Sequence, residues 1–238
     1  MEIAINHLTR MSPGRICVAG IDTTSGMHVR PLPPGGSVVT ADLERNGGPY
    51  DIGNVVDLGT VVSCPQRPKL EDHNYATAKL VRTTDPVRFY HHMQQMAVVD
   101  LQTLFGPALV ITPNAGAYLP PSQGNASLGC LLPTDAKPQL FANTFNQKVK
   151  LRINLPTTFA GNAVSLNLSV TDIRMYLADH STPDVNAIPA FNQRLKTEPF
   201  ILGIGVGYLM NATLHNPAAH WLQVNALHFE ADPIRKLN

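Results

Sequence analysis

Turn-forming residues recur along the whole chain and interrupt every apolar run. The 238 residues include 20 prolines and 17 glycines, which are spread out rather than massed in one linker. This texture is typical of many short strands joined by turns, as in small sandwiches and barrels. Only 15% of the residues are charged, while Leu, Ile and Val recur throughout, so disorder is not expected. The length permits one large domain or two small ones.

The clearest strand pair is a hairpin near the N-terminus. Residues 15–22 and 27–32 are rich in apolar and β-branched side chains, and the intervening TTSG segment has turn chemistry. Alternation at a period of two puts His28 and Arg30 on the same face of the second strand. Further strands are predicted at residues 53–62, 76–82, 108–112, 127–132, 148–155, 163–176, 199–210 and 220–229.

One amphipathic helix is predicted near residues 86–105. Asp85 can accept hydrogen bonds from the free amides of its first turn, where Pro86 is also favourable. Apolar side chains recur at steps of three and four residues, and Gly106 ends the pattern. A weaker helical pattern covers residues 184–196.

The order of strands, helix and strands occurs twice, although no residue-level repeat is visible. We therefore predict a mainly β protein with few helices, built as two tandem OB-fold-like small β-barrels, each with an inserted helix. The first barrel is expected at residues 1–134, with its helix near 86–105. The second is expected at residues 135–238.

Charge is nearly balanced along the chain. The formal net charge is +1; residues 1–106 carry nine Lys and Arg against ten Asp and Glu, and residues 107–238 carry nine against seven. Proteins that capture duplex DNA through a broad basic surface are usually far more basic. Any contact with nucleic acid is therefore expected to be local and dependent on shape.

The cysteines and the N-terminus predict a cytoplasmic protein. The three cysteines are widely separated and form no C-x-x-C pair, which favours reduced thiols over a disulfide framework. The first residues contain no apolar run long enough for a signal peptide or a membrane span. No membrane partner is expected.

Motifs of common enzymes do not occur in the sequence. It contains no G-x-S-x-G elbow, Walker loop or H-E-x-x-H motif, and the HFE triplet at 228–230 is only half of a zinc-deaminase motif. His91 and His92 point about 100° apart on a helix, so they cannot share a metal. No metal site, cofactor or catalytic residue is predicted. An enzyme assembled from dispersed acids remains an alternative. These acids are Asp22, Asp57 and Asp172.

Residues 202–208 (LGIGVGY) carry three glycines at alternate positions. The spacing is G-x-G-x-G and no long helix follows, so a dinucleotide site is not expected. On a strand, Gly203, Gly205 and Gly207 share one face and leave a strip of bare backbone. Such a strip permits either tight closure of a barrel or close approach of another backbone or a flat ligand.

Two other segments carry candidate contacts for nucleic acid. Residues 148–152 (KVKLR) place three cations on one strand face, as a row of phosphate contacts or as a solvated strand edge. Trp221, the single tryptophan, is followed by Gln223 and Asn225 in alternation. Its indole could stack on a base or anchor the core.

Five segments resemble the dual OB domain family of bacteria. They are residues 7–11 (HLTRM), 16–22 (ICVAGID), 28–31 (HVRP), 166–174 (LNLSVTDIR) and 220–225 (HWLQVN). The resemblance spans most of the chain. It implies two OB-folds in tandem, predicted binding of nucleic acid, and genes often encoded near conflict or defence systems. Two charged residues of the fourth segment, Asp172 and Arg174, become candidates on this basis alone.

Together these patterns predict a non-enzymatic module that binds nucleic acid or a nucleotide. The expected ligand is single-stranded DNA or RNA, gripped by cations along its backbone and by stacking of its bases. A role as an accessory to a bacterial defence system follows from the resemblance. The alternative is a protein-interaction subunit of a larger complex, which the near-zero net charge also fits. The candidate binding residues are His28, Arg30, Lys148, Lys150, Arg152, Asp172, Arg174, Trp221, Gln223 and Asn225.

Overall fold

The structure is a computed structural model that describes residues 1–133, 137–145, 147–214 and 216–237. The chain is mainly β, with 46% of residues in strands and 16% in helices, and its two curled sheets form half-barrels. The predicted fold class is therefore confirmed. None of the helices in the described part of the chain is both long and apolar enough to cross a membrane.

The first sheet has eight strands. They are β1 (Glu2–Arg10), β2 (Arg15–Asp22), β3 (His28–Leu32), β4 (Val38–Val39), β5 (Asn54–Asp57), β6 (Val61–Ser63), β7 (Asp72–Tyr75) and β8 (Lys79–Thr83). The order across the sheet is β6-β7-β3-β2-β1-β5-β8, with β4 paired to β2. The β2–β3 pair is the predicted hairpin. The single strand expected at residues 53–62 is two strands, because Gly59 turns the backbone with a φ of 62°.

The second sheet also has eight strands. They are β9 (Val110–Ile111), β10 (Ala117–Leu119), β11 (Leu128–Leu131), β12 (Gln139–Phe145), β13 (Lys148–Phe159), β14 (Asn162–Val170), β15 (Phe200–Met210) and β16 (Ala219–Phe229). The order is β11-β15-β16-β14-β13-β12, with β10 paired to β16 and β9 paired to β10. The strand expected at 163–176 ends at Val170. The carboxylate of Asp172 then accepts a hydrogen bond from the backbone N of Arg174 and begins a 3-10 helix, Ile173–Met175.

Three α-helices accompany the sheets: α1 (Pro86–Met96), α2 (Leu101–Phe105) and α3 (Ile188–Thr197). Asp85 caps α1 through the backbone N of Arg88, as predicted. The helix expected near 86–105 is divided, because Val98 pairs with the backbone of β11 and extends the chain. Asp100 then caps α2.

The largely buried strand β1 was not predicted from the sequence. Its pairing with β2 slips between Ile5 and His7, so Asn6 is an extra residue in the ladder. The side chains of Asn6 and His7 both approach His28, although neighbouring residues of a regular strand point to opposite faces. The bulge thus turns two polar side chains toward the interior.

The two half-barrels share a wall. In β11, Cys130 packs in the core of the first half-barrel and Leu131 in the core of the second. In β15, Ile201 and Leu202 divide between the two cores in the same way. The predicted boundary between residues 134 and 135 lies outside the described residues and stays a prediction, although β9, β10 and β11 precede it and belong to the second sheet.

Candidate functional site

A cleft of about 720 Å³ lies between the two sheets. Residues of β1, β2 and β3 line one side, residues of β11, β15 and β16 line the other, and loops complete its rim. Ligand sites in proteins usually occupy about 300 to 1,000 Å³. The cleft is therefore of a size that suits a ligand, and it lies where the two half-barrels meet.

Two aromatic side chains lie on the β15–β16 side of the cleft. Trp221 is half-buried, and its ring is tilted against that of Tyr118 with the centroids 5.2 Å apart. Tyr208 is 53% exposed at the outer part of β15. Both residues line the cleft. Aromatic faces of this kind can stack on nucleobases of any sequence.

The residues that line the cleft carry more positive than negative charge. Arg15 is exposed at the start of β2, and the Nε of Arg10 donates to the carbonyl of His180 at 3.2 Å. The Nζ of Lys69 lies 4.4 Å from the centroid of the Tyr208 ring. This excess of cations favours an anionic ligand. The cations are Arg10, Arg15, Arg30 and Lys69, and the carboxylate is Asp72.

Arg30 is neutralised within the wall of the cleft. Its Nε donates to Asp72 Oδ1 at 2.6 Å, and the two side chains are only 9% and 11% exposed. The Nη2 atom lies 2.5 Å from the same oxygen but makes no hydrogen bond of good geometry. Burial, reinforced by the charge of Arg30, lowers the pKa of Lys69. The other cations in the lining of the cleft are Arg10, Arg15 and Lys69.

The predicted alternation along β16 brings two amides to the same cleft. Gln223 and Asn225 both line it together with Trp221. Thr171 donates its hydroxyl hydrogen to Asn225 Oδ1 at 3.2 Å, which fixes that amide. Four predicted residues thus converge on one site. They are Arg30, Trp221, Gln223 and Asn225.

The glycine strip of β15 packs closely at two positions and is open at the third. A Cβ at Gly203 would lie 2.7 Å from the His7 ring, and one at Gly205 would overlap the side chain of Asn225, so these two glycines permit close packing. A Cβ at Gly207 would have no neighbour closer than 3.7 Å. Gly207 lines the cleft, where its bare backbone leaves room for a ligand.

His28 lies beside the cleft rather than in its lining. Its ring meets that of His7 edge to face, with the centroids 5.5 Å apart, and His7 lines the cleft. The Nε2 of His28 is 3.1 Å from Asn6 Nδ2 and 3.9 Å from Cys130 Sγ. His28 therefore belongs to a polar group directly behind the cleft wall.

The cations of β13 lie outside the cleft. Lys148 and Lys150 are exposed where β13 pairs with β12. Arg152 is half-buried and donates through Nε to Asn167 Oδ1 at 2.7 Å and through Nη1 to Ser169 Oγ at 3.1 Å. Arg152 is thus held to β14. That Lys148, Lys150 and Arg152 contact phosphates remains a prediction.

Asp172 and Arg174 form a buried ion pair at the junction of the half-barrels. Each side chain is 1% exposed, and Arg174 Nη2 donates to Asp172 Oδ2 at 2.7 Å. The same oxygen accepts from the backbone N of Leu227, and the carbonyl of Leu227 accepts from Arg174. A ligand in the cleft would reach neither side chain, and the geometry gives the pair a structural role.

Each of the three acids considered for catalysis is bonded to a different group of the protein. Asp22 accepts a hydrogen bond from Ser25 Oγ at 2.6 Å, and Asp57 accepts one from the backbone N of Gly59 at 2.8 Å. Asp172 is paired in the core. Within the described residues these acids do not form a group of three that could hold a metal ion.

Several cleft residues were not predicted as site residues. Tyr208 follows the three alternate glycines of β15, and Arg15 begins the first predicted strand. Neither position alone indicates a ligand. Lys69 and Asp72 follow the turn-rich segment that leads into β7, where the sequence carries no periodic signal. Patterns in the sequence describe each strand separately, so they could not show that strands of the two sheets meet across a cleft.

Comparison with curated proteins and with solved structures finds no match to the chain. A family model described as the dual OB-containing domain matches residues 2–208, which include β1 and most of β15. Two curled sheets joined along a common wall agree with this match. The chain therefore belongs to the dual OB-containing domain family.

Proposed function

We propose that this protein binds single-stranded nucleic acid, or a nucleotide of the same chemistry, in the cleft between its two half-barrels. One observation carries the proposal: aromatic, cationic and amide side chains line the same cleft. OB-folds bind oligonucleotides through a strand face and the adjacent loops. The bound strand would lie between β15–β16 and the β1–β3 side.

Stacking would supply the contact with the bases. Tyr208 exposes about half of its side chain, and Trp221 presents its uncovered surface to the cleft. Gln223 and Asn225 lie on the same side and offer donors and acceptors to base edges. A duplex presents no unstacked base faces, so this arrangement favours single strands.

Phosphate contacts would come from Arg15 and Lys69, with Arg10 at the end of β1 as a third cation. Each neutralised phosphate of a single strand contributes a slope of about −0.7 to the dependence of log K on log salt. Two or three contacts predict a total slope of roughly −1.4 to −2.1. This modest value agrees with a protein whose formal net charge is +1.

Fluorescence anisotropy with labelled oligonucleotides tests the proposal. Single-stranded DNA, single-stranded RNA and duplex DNA are each titrated with the purified chain at about 50 and 200 mM salt. We expect a single strand to bind more tightly than the duplex, with weaker binding at the higher salt concentration. Equal affinity for duplex and single strand, or binding that does not change with salt, would contradict the proposed mode.

A protein partner is the second candidate, favoured by one edge of the first sheet. All five residues of β8 are exposed, and β8 ends the sheet. Leu80 and Val81 are 37% and 45% exposed there. An open edge strand can pair with a strand of another protein. Co-purification with a partner, and no retention on nucleic acid at low salt, would favour this candidate.

A further inference from the structure

Three side chains with metal-binding atoms converge behind the cleft wall. They are His7 of β1, His28 of β3 and Cys130 of β11. One ligand atom from each lies within 4.8 Å of the other two. The three residues come from both sheets, so the cluster joins the two half-barrels.

The buried His7 ring is incompletely satisfied. His7 is 2% exposed, and neither Nδ1 nor Nε2 has a hydrogen-bond partner. Leaving a buried polar atom unpaired is costly, and most such atoms in proteins are bonded. Two unpaired nitrogens on one buried ring, adjacent to a second imidazole and a thiol, point to a group that would bind them.

The fold holds this histidine in place by specific local features. The bulge in β1 at Asn6 turns His7 inward, and Gly203 of β15 leaves the space that the ring fills. A bulge that re-aims a side chain is common beside functional sites. Asn6 also turns inward, with its Nδ2 3.8 Å from Cys130 Sγ. That amide can donate a hydrogen bond to a thiolate sulfur.

We propose that His7, His28 and Cys130 bind one zinc ion, with a fourth coordination position left for solvent. Two imidazoles and a thiolate suit Zn²⁺, whereas Mg²⁺ and Ca²⁺ prefer oxygen ligands. The site differs from the nucleic-acid proposal in its ligand and in its chemistry. Its predicted effect is to fasten β11 to β1 and β3.

One of the three distances in the cluster is already close to the value expected for zinc ligands. In tetrahedral zinc, Zn–N bonds of about 2.0 Å and Zn–S bonds of about 2.3 Å put nitrogen and sulfur roughly 3.6 Å apart. Cys130 Sγ and His28 Nε2 are 3.9 Å apart. Because the three ligand atoms lie within 4.8 Å of one another, bringing them onto one ion needs side-chain movements of up to roughly 1 Å. The Asn6 amide, 3.1 Å from His28 Nε2, must also turn away from that nitrogen and toward Cys130 Sγ.

Zinc binding requires neutral imidazoles and a thiolate. Burial, with a smaller contribution from His92, lowers the pKa of His28 to about 4, and burial also lowers the pKa of His7 well below its usual value. Both imidazoles are therefore neutral near pH 7. Burial raises the pKa of Cys130 to about 12, which opposes ionisation of the thiol. The Zn–S⁻ bond must offset this cost, and one proton passes to solvent when it forms.

Cobalt substitution gives a direct test on the full chain. The purified protein is stripped of metal with a chelator under reducing conditions and titrated with Co²⁺. We expect one equivalent to bind, with the visible bands of tetrahedral cobalt and a thiolate-to-cobalt charge-transfer band in the near ultraviolet. Zn²⁺ should abolish both signals by displacement. If the folded wild-type protein gives no such spectrum, the zinc site is wrong.

Matched variants identify the ligands. Cys130→Ser should lose the charge-transfer band, and His28→Gln should bind Co²⁺ at least tenfold more weakly. Cys64→Ser and His91→Ala are controls, since neither residue belongs to the cluster. Circular dichroism of the metal-free proteins establishes that each is folded. Retention of the wild-type spectrum by Cys130→Ser would overturn the proposal, and if that variant does not fold, the wild-type titration decides alone.

Discussion

The α-carbon of Gly203 lies against the imidazole of His7. A Cβ built on Gly203 would lie 2.7 Å from Cε1 of that ring and 2.9 Å from Nδ1. His7 comes from the first sheet and Gly203 from the second, so this contact is part of the junction between the half-barrels. The backbone of Gly203 does not require a positive φ. The glycine is needed there for space rather than for backbone conformation.

Gly203→Ala should therefore destabilise the fold. The added methyl group would also lie 2.9 Å from the Cβ of Ala226, so His7 or β16 must move. We expect a loss of about 1 to 3 kcal/mol in the free energy of unfolding, measured by chemical denaturation. Gly207→Ala is the matched control, because its Cβ would make only ordinary van der Waals contacts. A neutral Gly203→Ala would contradict this packing.

Asp172→Asn should be the more damaging of two acid-to-amide changes. Removal of one partner from a buried ion pair usually costs about 3 to 5 kcal/mol, because Arg174 would keep an uncompensated charge. Asp184→Asn is the control. Asp184 caps a short 3-10 helix near the surface, and asparagine caps as well, so a change within about 0.5 kcal/mol is expected.

The same ion pair predicts a dependence of stability on pH. Burial alone would raise the pKa of Asp172, but the charge and hydrogen bonds of Arg174 hold it below its usual value. Because the folded-state pKa is depressed, this stabilisation is complete above the unfolded pKa of about 4 and is lost as the pH falls further. Wild-type stability should fall below pH 4 more steeply than that of Asp172→Asn. Parallel profiles would argue against the pair.

Trp221→Ala should weaken binding of single-stranded oligonucleotides. Loss of one stacked base costs about 1 to 3 kcal/mol, which corresponds to a roughly 5- to 150-fold higher Kd. Trp221→Phe keeps an aromatic face and should retain most of the affinity. Anisotropy titrations measure both variants, after circular dichroism has established folding. Unchanged affinity in Trp221→Ala would exclude stacking by this residue.

Arg15→Gln and Lys148→Gln distinguish two possible paths for the phosphates. Arg15 lines the cleft, whereas Lys148 lies on β13 outside it. Arg15→Gln should reduce the magnitude of the salt slope by about 0.7, the value for one phosphate of a single strand. Lys148→Gln should leave the slope unchanged. The opposite result would favour the cations of β13 as the phosphate-binding row.

Elements with regular patterns were predictable, and elements with interrupted patterns were not. The apolar and β-branched content of β2, and the alternation in β3 and β15, indicated strands. In β1, the bulge at Asn6 brings adjacent polar residues inward and breaks the period of two. The break between α1 and α2 could not be seen in the sequence, because the apolar spacing continues across it. In the structure, α1 packs in the core of the first half-barrel and α2 in the core of the second. The two β-branched residues Val98 and Val99, directly before Asp100, are the local feature that favours extended backbone at this break.

The cleft could be predicted only in part. Trp221, Gln223 and Asn225 share one strand, so alternation brought them together correctly. Arg30 lies on β3, whose pairing with β2 was predicted as a hairpin, but the pairing of β2 with β1 that completes this side of the cleft was not predicted. Cys130 approaches His28 across 102 positions of sequence, so no spacing rule could indicate that cluster. Pairing between distant strands is the information that local patterns lack.

Trp221 provides a probe of the cleft without any mutation, because it is the single tryptophan of the chain and lines that cleft. Wild-type protein is titrated with a short single-stranded oligonucleotide while tryptophan emission and oligonucleotide anisotropy are followed together. We predict a saturable change in emission whose midpoint matches the anisotropy midpoint and moves to higher concentration with added salt. Binding detected by anisotropy without a change in Trp221 emission would contradict recognition in the cleft.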